Sequence, residues 1–144
     1  MEGAMAMKRP SEKGQSIALF ALMLPLMAVF ILGLFDYMVT NVRAMEAVAV
    51  ADLSAHAGVQ EVRLLPNGKI LSDVPAAENV AADYFRMQAP SYVTLVSVVC
   101  GDAVDRPFCR VTAQVNSAGY LLASRPITIH AVGYLAWGVT REKH

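Results

Sequence analysis

The chain has 144 residues, enough for one compact domain beside a membrane segment, and this excludes large catalytic architectures. Twelve basic residues balance twelve acidic ones, so no broad field exists to attract nucleic acid. Hydrophobic residues make up 56% and charged ones 17%, an apolar excess concentrated near the start of the chain.

Residues 1–16 read as a basic cytoplasmic lip. Met1, Met5 and Met7 all precede its basic patch, and "MKRPSEKG" from Met7 would suffice as that lip, with residues 1–6 expected to be disordered. The run Ile17 to Phe35 then carries nineteen residues without a charge. As a helix it would reach about 28 Å, close to the ~30 Å hydrocarbon core of a bilayer. A cleaved secretory signal is the alternative, but its apolar core is ordinarily about 7 to 15 residues and ends at a small-x-small site. Here Asp36 and Tyr37 follow directly. Lys8, Arg9 and Lys13 before the run, against Asp36 after it, place the N-terminus in the cytoplasm and the residues beyond 36 outside. Pro25 lies mid-run, where it can kink the helix and suits one packed against partners.

Beyond the membrane, residues 36–62 are expected to continue the helix. Met38, Val42, Met45, Ala49, Leu53 and Ala57 recur at spacings of three and four, one stripe of an amphipathic helix. Alanines at 44, 47, 49, 51, 55 and 57 make the segment thin enough for close helix packing. Arg43 with Glu46, and Asp52 with His56, can each meet on the helix surface as solvated charge. A rod on the order of 70 Å results if the two parts are continuous.

Residues 63–144 are expected to form a small α+β domain. Pro66-Asn67-Gly68 reads as a turn between "EVRLL" and "KILSD". Residues 75–88 read as a short helix whose packed face holds Ala77, Val80, Ala81 and Tyr84. "YVTLVSVVC" from Tyr92 and "FCRVTAQVN" from Phe108 form a hairpin joined by "GDAVDRP"; in the second strand Cys109, Val111, Ala113 and Val115 share a face. "ITIHAVGYLAW" adds a strand with Ile127, Ile129, Ala131, Gly133 and Leu135 on one side. The fold class is therefore α+β: a long N-terminal helix, membrane-spanning then amphipathic, carrying a small antiparallel sheet with one short helix.

Chemistry is sparse. Cys100 and Cys109 stand where antiparallel pairing can bring them together across the mouth of the loop; a disulfide is expected outside the cytoplasm, and the competing metal site lacks two ligands, since His130 has no second histidine at ligand spacing. Asp102 and Asp105 read as a polar loop rather than a cation site. His56, His130 and His144 are scattered, and no nucleophile or phosphate-binding motif occurs. Tyr84, Phe85, Tyr92, Phe108, Tyr120, Tyr134 and Trp137 are not interleaved with basic residues and fit a core or an interface. No enzyme activity, cofactor, metal site or nucleic-acid partner is expected.

The lip "KGQS" followed by "LFALMLP", and then "NVRAMEAVAVADLSAHAG", resembles the TadE/TadG-like proteins, pseudopilin-like components of the tight-adherence (Flp) pilus. The likeness is strongest over residues 8–58. It implies a pilin-like envelope protein, single-pass in the cytoplasmic membrane of a prokaryote with its N-terminus inside, that builds or anchors an extracellular filament. In pilins of this broad class a peptidase cuts after the glycine, which maps to the bond between Gly14 and Gln15, and a glutamate at the fifth mature position pairs with a neighbour's new amine. Leu19 occupies that position here, which implies an uncut, TadG-like minor component. The surface expected to pack against other membrane or pilus subunits comprises Phe20, Leu22, Pro25, Met38, Val42, Met45, Ala49 and Leu53. Two other readings are a single-span accessory subunit of a respiratory or photosynthetic complex and an anchored enzyme or ligand-binding module.

Overall fold

The computed structural model describes residues 12–66, 68–103, 106–117, 119–121 and 124–136, with side chains from Ser16 onward. The expected basic lip, apart from its last residues, together with Asn67, Asp105, Trp137 and His144, lies outside the described residues. One helix, α1, runs without a break from Glu12–Val59, 48 residues or about 72 Å. It passes through Pro25, whose missing N–H removes one ladder bond from an otherwise continuous run of apolar residues and alanines. The helix ends three residues before the expected 62, and Val62 already belongs to a strand.

Strands β1 (Val62–Leu64) and β2 (Ile70–Ser72) pair antiparallel as a small hairpin. Its turn is closed by the Gly68 N–H donating to the Leu65 carbonyl at 2.9 Å and the Leu65 N–H to Lys69 at 2.8 Å. Gly68 has φ +79°, the left-handed region where a side chain would be strained. Helix α2, Val74–Gln88, follows with a proline in its first turn. Strands β3 (Val93–Ala103), β4 (Arg106–Asn116) and β5 (Pro126–Tyr134) then form an antiparallel sheet in the order β3-β4-β5. A register shift between Leu95 and Ser97 interrupts the β3–β4 ladder near its start.

One face of this sheet is covered by α1 and α2. Cys109, Val111, Ala113 and Val115 are buried, while Arg110 and Asn116 are exposed, so the period-two pattern of β4 translates directly into an inner and an outer face. On β5 the inner side is Ile129, Ala131 and Gly133, with Ile127 and Leu135 partly buried beside them. Opposite lie Ala47, Ala51, Ala55 and Val59 of α1 and Ala77, Ala81 and Phe85 of α2. Phe85, rather than Tyr84, completes the α2 face; Val80 and Tyr84 are only partly buried. The ring spans more of the gap between α2 and the sheet than the alanines one and two turns before it.

Two glycines set how closely the layers approach. A Cβ on Gly133 would sit 2.9 Å from the Ala55 carbonyl carbon and 3.0 Å from the His56 nitrogen, both backbone atoms of α1. A Cβ on Gly58 would meet the Ala77 carbonyl at 2.8 Å and the Cys109 sulfur at 2.9 Å. The small residues of α1 thus allow close packing on helix α2, as expected, and on the sheet as well. Ala47, Ala51, Ala55 and Gly58 line a face that packs within the chain, on the sheet and on α2, rather than toward another subunit.

The β3–β4 connection is also much tighter than a seven-residue loop, because Gly101, Asp102 and Ala103 pair with Phe108, Pro107 and Arg106. Cys100 and Cys109 are consequently directly opposed inside the ladder, away from its mouth, where they are joined as a disulfide and buried. Closing so short a loop contributes about 2–3 kcal/mol by restricting the unfolded chain. Replacing both cysteines with serine should lower stability by about that amount in denaturant titrations. Protein unfolded without reductant should show no reactive thiol.

Candidate functional site

Past the membrane run, α1 has two opposed faces. The first carries Asp36, Ala47, Ala51, Ser54, Ala55 and Gly58, all buried against the sheet, α2 or the loop before β5. At 3.6 residues per turn the stripe Met38, Val42, Met45, Ala49 and Leu53 falls on the far side, about half a turn away. These side chains are large and open: Met45 is 72% exposed, Met38 65%, Val42 55% and Leu53 53%. Ala57, at the end of the stripe, is partly buried. Phe20, eighteen residues or about five turns before Met38, lies in phase with the stripe on an unbent helix, whereas Leu22 and Pro25 fall on its other side.

Among the described residues this is the one helix long and apolar enough to cross a membrane. Its most apolar window has mean hydropathy 2.7, and none of that window is buried within the protein. A core helix of a water-soluble domain would be covered by its own fold; this one projects uncovered. Leu19 lines an apolar surface with Ala18, Leu22, Met23 and Leu26, where a carboxylate would stand without a partner from this chain. The Gly14–Gln15 bond lies in the first turn of α1, and the side chains there are outside those described.

Where the stripe leaves the membrane run, Phe35, Met38, Val39, Val42, Arg43, Glu46 and Tyr92 line an open groove between α1 and the start of β3. Arg43 and Glu46 do not pair with each other as solvated charge. The Arg43 guanidinium lies 4.7 Å from the centre of the Tyr92 ring and donates to the Asn116 carbonyl at 3.5 Å, while the Tyr92 hydroxyl donates to the Glu46 carboxylate. That hydrogen bond, followed by partial burial, raises the Tyr92 pKa above its ordinary value. The three side chains tie the sheet to α1 along one edge of the stripe. No sequence period announces this contact, since Tyr92 is 46 residues from Glu46.

The remaining polar candidates do not converge. Asp102 accepts a hydrogen bond from the Ser72 N–H at 2.9 Å, which joins the two sheets, and His130 lies 3.2 Å from the Thr112 hydroxyl on the outer face. His56 and Asp52 are 3.8 Å apart and both exposed. Among the described residues no group of three or more His, Cys, Asp or Glu is placed to hold a metal ion.

Residues 14–61, which are nearly all of α1, match the family described as putative Flp pilus-assembly TadE/G-like. That segment, a third of the chain's length, is similar to the TadE/G-like family. The match spans the membrane run, the open stripe and the alanine face, and stops where β1 begins. No curated protein and no solved structure matches the chain. The TadE/G-like segment is thus the part that carries the candidate surface, and the sheet is the part it carries.

Proposed function

We propose that this chain is a membrane-anchored, non-enzymatic structural component of a tight-adherence pilus apparatus, a pseudopilin or minor-pilin-like subunit that works by helix packing. The observation that carries this reading is the exposed stripe from Met38 to Leu53, which extends the uncovered apolar surface of the membrane helix into water, opposite the face spent on its own sheet. Contiguous apolar surface of that kind is rarely left bare by a soluble domain and marks a protein interface. The partners are other pilus-assembly subunits or further copies of the chain. The N-terminus lies in the cytoplasm, as Lys8, Arg9 and Lys13 favour, and the sheet lies outside.

The TadE/G-like match favours a pilus over a respiratory or photosynthetic complex. Among the described residues the scattered polar groups bring no nucleophile, base and orienting partner together, which is in keeping with a structural role. Leu19 removes the carboxylate that a processed neighbour's amine would need, so the Gly14–Gln15 bond stays intact in this reading. Purification from native membranes tests it: the chain should be recovered with pilus-assembly subunits and at the intact mass expected without cleavage after Gly14. Recovery in a stoichiometric complex with cofactor-bearing subunits would overturn the pilus reading, and loss of the segment through Gly14 would overturn the uncut one.

A further inference from the structure

Asp36 is 1% exposed and immediately follows Phe35, the last residue of the uncharged run. Its carboxylate accepts hydrogen bonds from the Tyr120 N–H at 2.8 Å and the Leu121 N–H at 2.7 Å, both in the connection between β4 and β5. A segment 84 residues away in sequence is thereby held against α1 at the level where the hydrocarbon core ends. The side chains beside those two amides are not buried: Tyr120 is 83% exposed and Leu121 47%. Tyr37, next along the helix, is exposed as well.

From this placement we infer that Tyr120 and Leu121 form a second contact with the lipid bilayer, seated in the interfacial layer beside the exit of α1 and positioned there by Asp36. The inference rests on α1 crossing the membrane. The interfacial layer is about 5–8 Å deep on each side of the core, and a group bonded to the first residue past the core cannot stand much beyond it. A tyrosine suits that layer because its ring meets acyl chains while its hydroxyl stays wet, and the adjacent leucine adds apolar area. The same geometry accounts for the buried carboxylate. A bare aspartate at the lipid boundary would be costly, and the two loop amides solvate it. With a second contact beside the helix, the outer sheet has a fixed tilt over the membrane instead of swinging on one rod.

The test uses the full chain reconstituted in bilayers, with Trp137→Phe removing the native tryptophan and a single reporter introduced as Tyr120→Trp, Leu121→Trp or Phe30→Trp. Fluorescence quenching by lipids labelled near the headgroup or deep in the acyl chain reads depth, and aqueous acrylamide reads exposure. Phe30→Trp should be quenched by the deep label, which establishes the crossing independently. The Tyr120→Trp and Leu121→Trp reporters should be quenched by the shallow label, and Asp36→Ala should abolish that quenching while the Phe30→Trp signal persists. With the Phe30→Trp reporter deep, two results would overturn the inference: acrylamide quenching of the loop reporters without lipid quenching, or protection from both, which would mean a protein covers the loop. Retained shallow quenching in Asp36→Ala would overturn Asp36 as the positioning residue. Failure of the Phe30→Trp reporter itself would refute the crossing.

Discussion

Replacing Gly133 with valine is expected to cost the outer domain at least about 1–3 kcal/mol, the usual penalty for overpacking a closed core, and to do so without touching the stripe. The reason is what the new atoms would strike. A Cβ at this position already falls within 3.0 Å of the Ala55 and His56 backbone. A flexible side chain could rotate aside, but a helix backbone can yield only by moving α1 off β5, which would also loosen Ala47, Ala51 and Ala55 from the sheet. Gly133→Ala should show a smaller effect of the same sign. Gly58→Ala should behave similarly, since its neighbours are the Ala77 carbonyl and the disulfide sulfur of Cys109. Denaturant titration of the full chain in detergent, followed by the sheet's circular dichroism, measures the loss; wild-type stability in Gly133→Val would mean that α1 does not approach β5 so closely.

Val42→Arg combined with Met45→Arg should have the opposite profile. Both positions are more than half exposed, Met45 on the far side of α1 and Val42 at the rim of the open groove beside Tyr92, so the fold should keep its stability to within about 0.5 kcal/mol, as for ordinary surface changes. Association should suffer. Placing two guanidinium groups in an apolar contact leaves them unpaired where water is excluded, and each 1.4 kcal/mol lost is a tenfold weaker complex. Recovery of partner subunits should fall by roughly tenfold or more. A complex recovered in full would show that the stripe is not the contact, whereas a destabilised sheet would show that the stripe belongs to the core.

Much of the outer domain could be read from period-two patterns, because each strand of a one-sided sheet must alternate. The inner residues of β4 and β5 follow from that rule alone. The outer half of α1 was only half legible. Its large residues announce the stripe, but the opposite face is built from alanine, serine and glycine, which carry little hydropathy and can pack on a helix or on a sheet. Nothing local distinguishes the two neighbours, and the face meets both: α2 beside Gly58, and β5 through Gly133, some eighty residues downstream of Ala55. Asp36 reads in sequence only as the charge that ends the membrane run, since its partners are loop amides that leave no side-chain signature. The same holds for Tyr92, whose link to Arg43 and Glu46 exists only after the sheet folds back on the helix. The cysteine pairing could be expected from antiparallel geometry, while the extension of both strands to Ala103 and Arg106 could not, because Asp102 and Pro107 are poor strand formers held there by tertiary contacts.

The claim that the far face of α1 packs against other subunits is tested most directly by photocrosslinking in native membranes. A photoreactive amino acid placed at Met45, in the centre of the stripe, is compared with one at Thr128 on the outward face of β5. The Met45 position should yield a defined adduct with another copy of the chain or with a pilus-assembly subunit, and the Thr128 position should yield none. A defined adduct from Thr128 with none from Met45 would contradict the account, because it would move the subunit contact from the helix to the sheet.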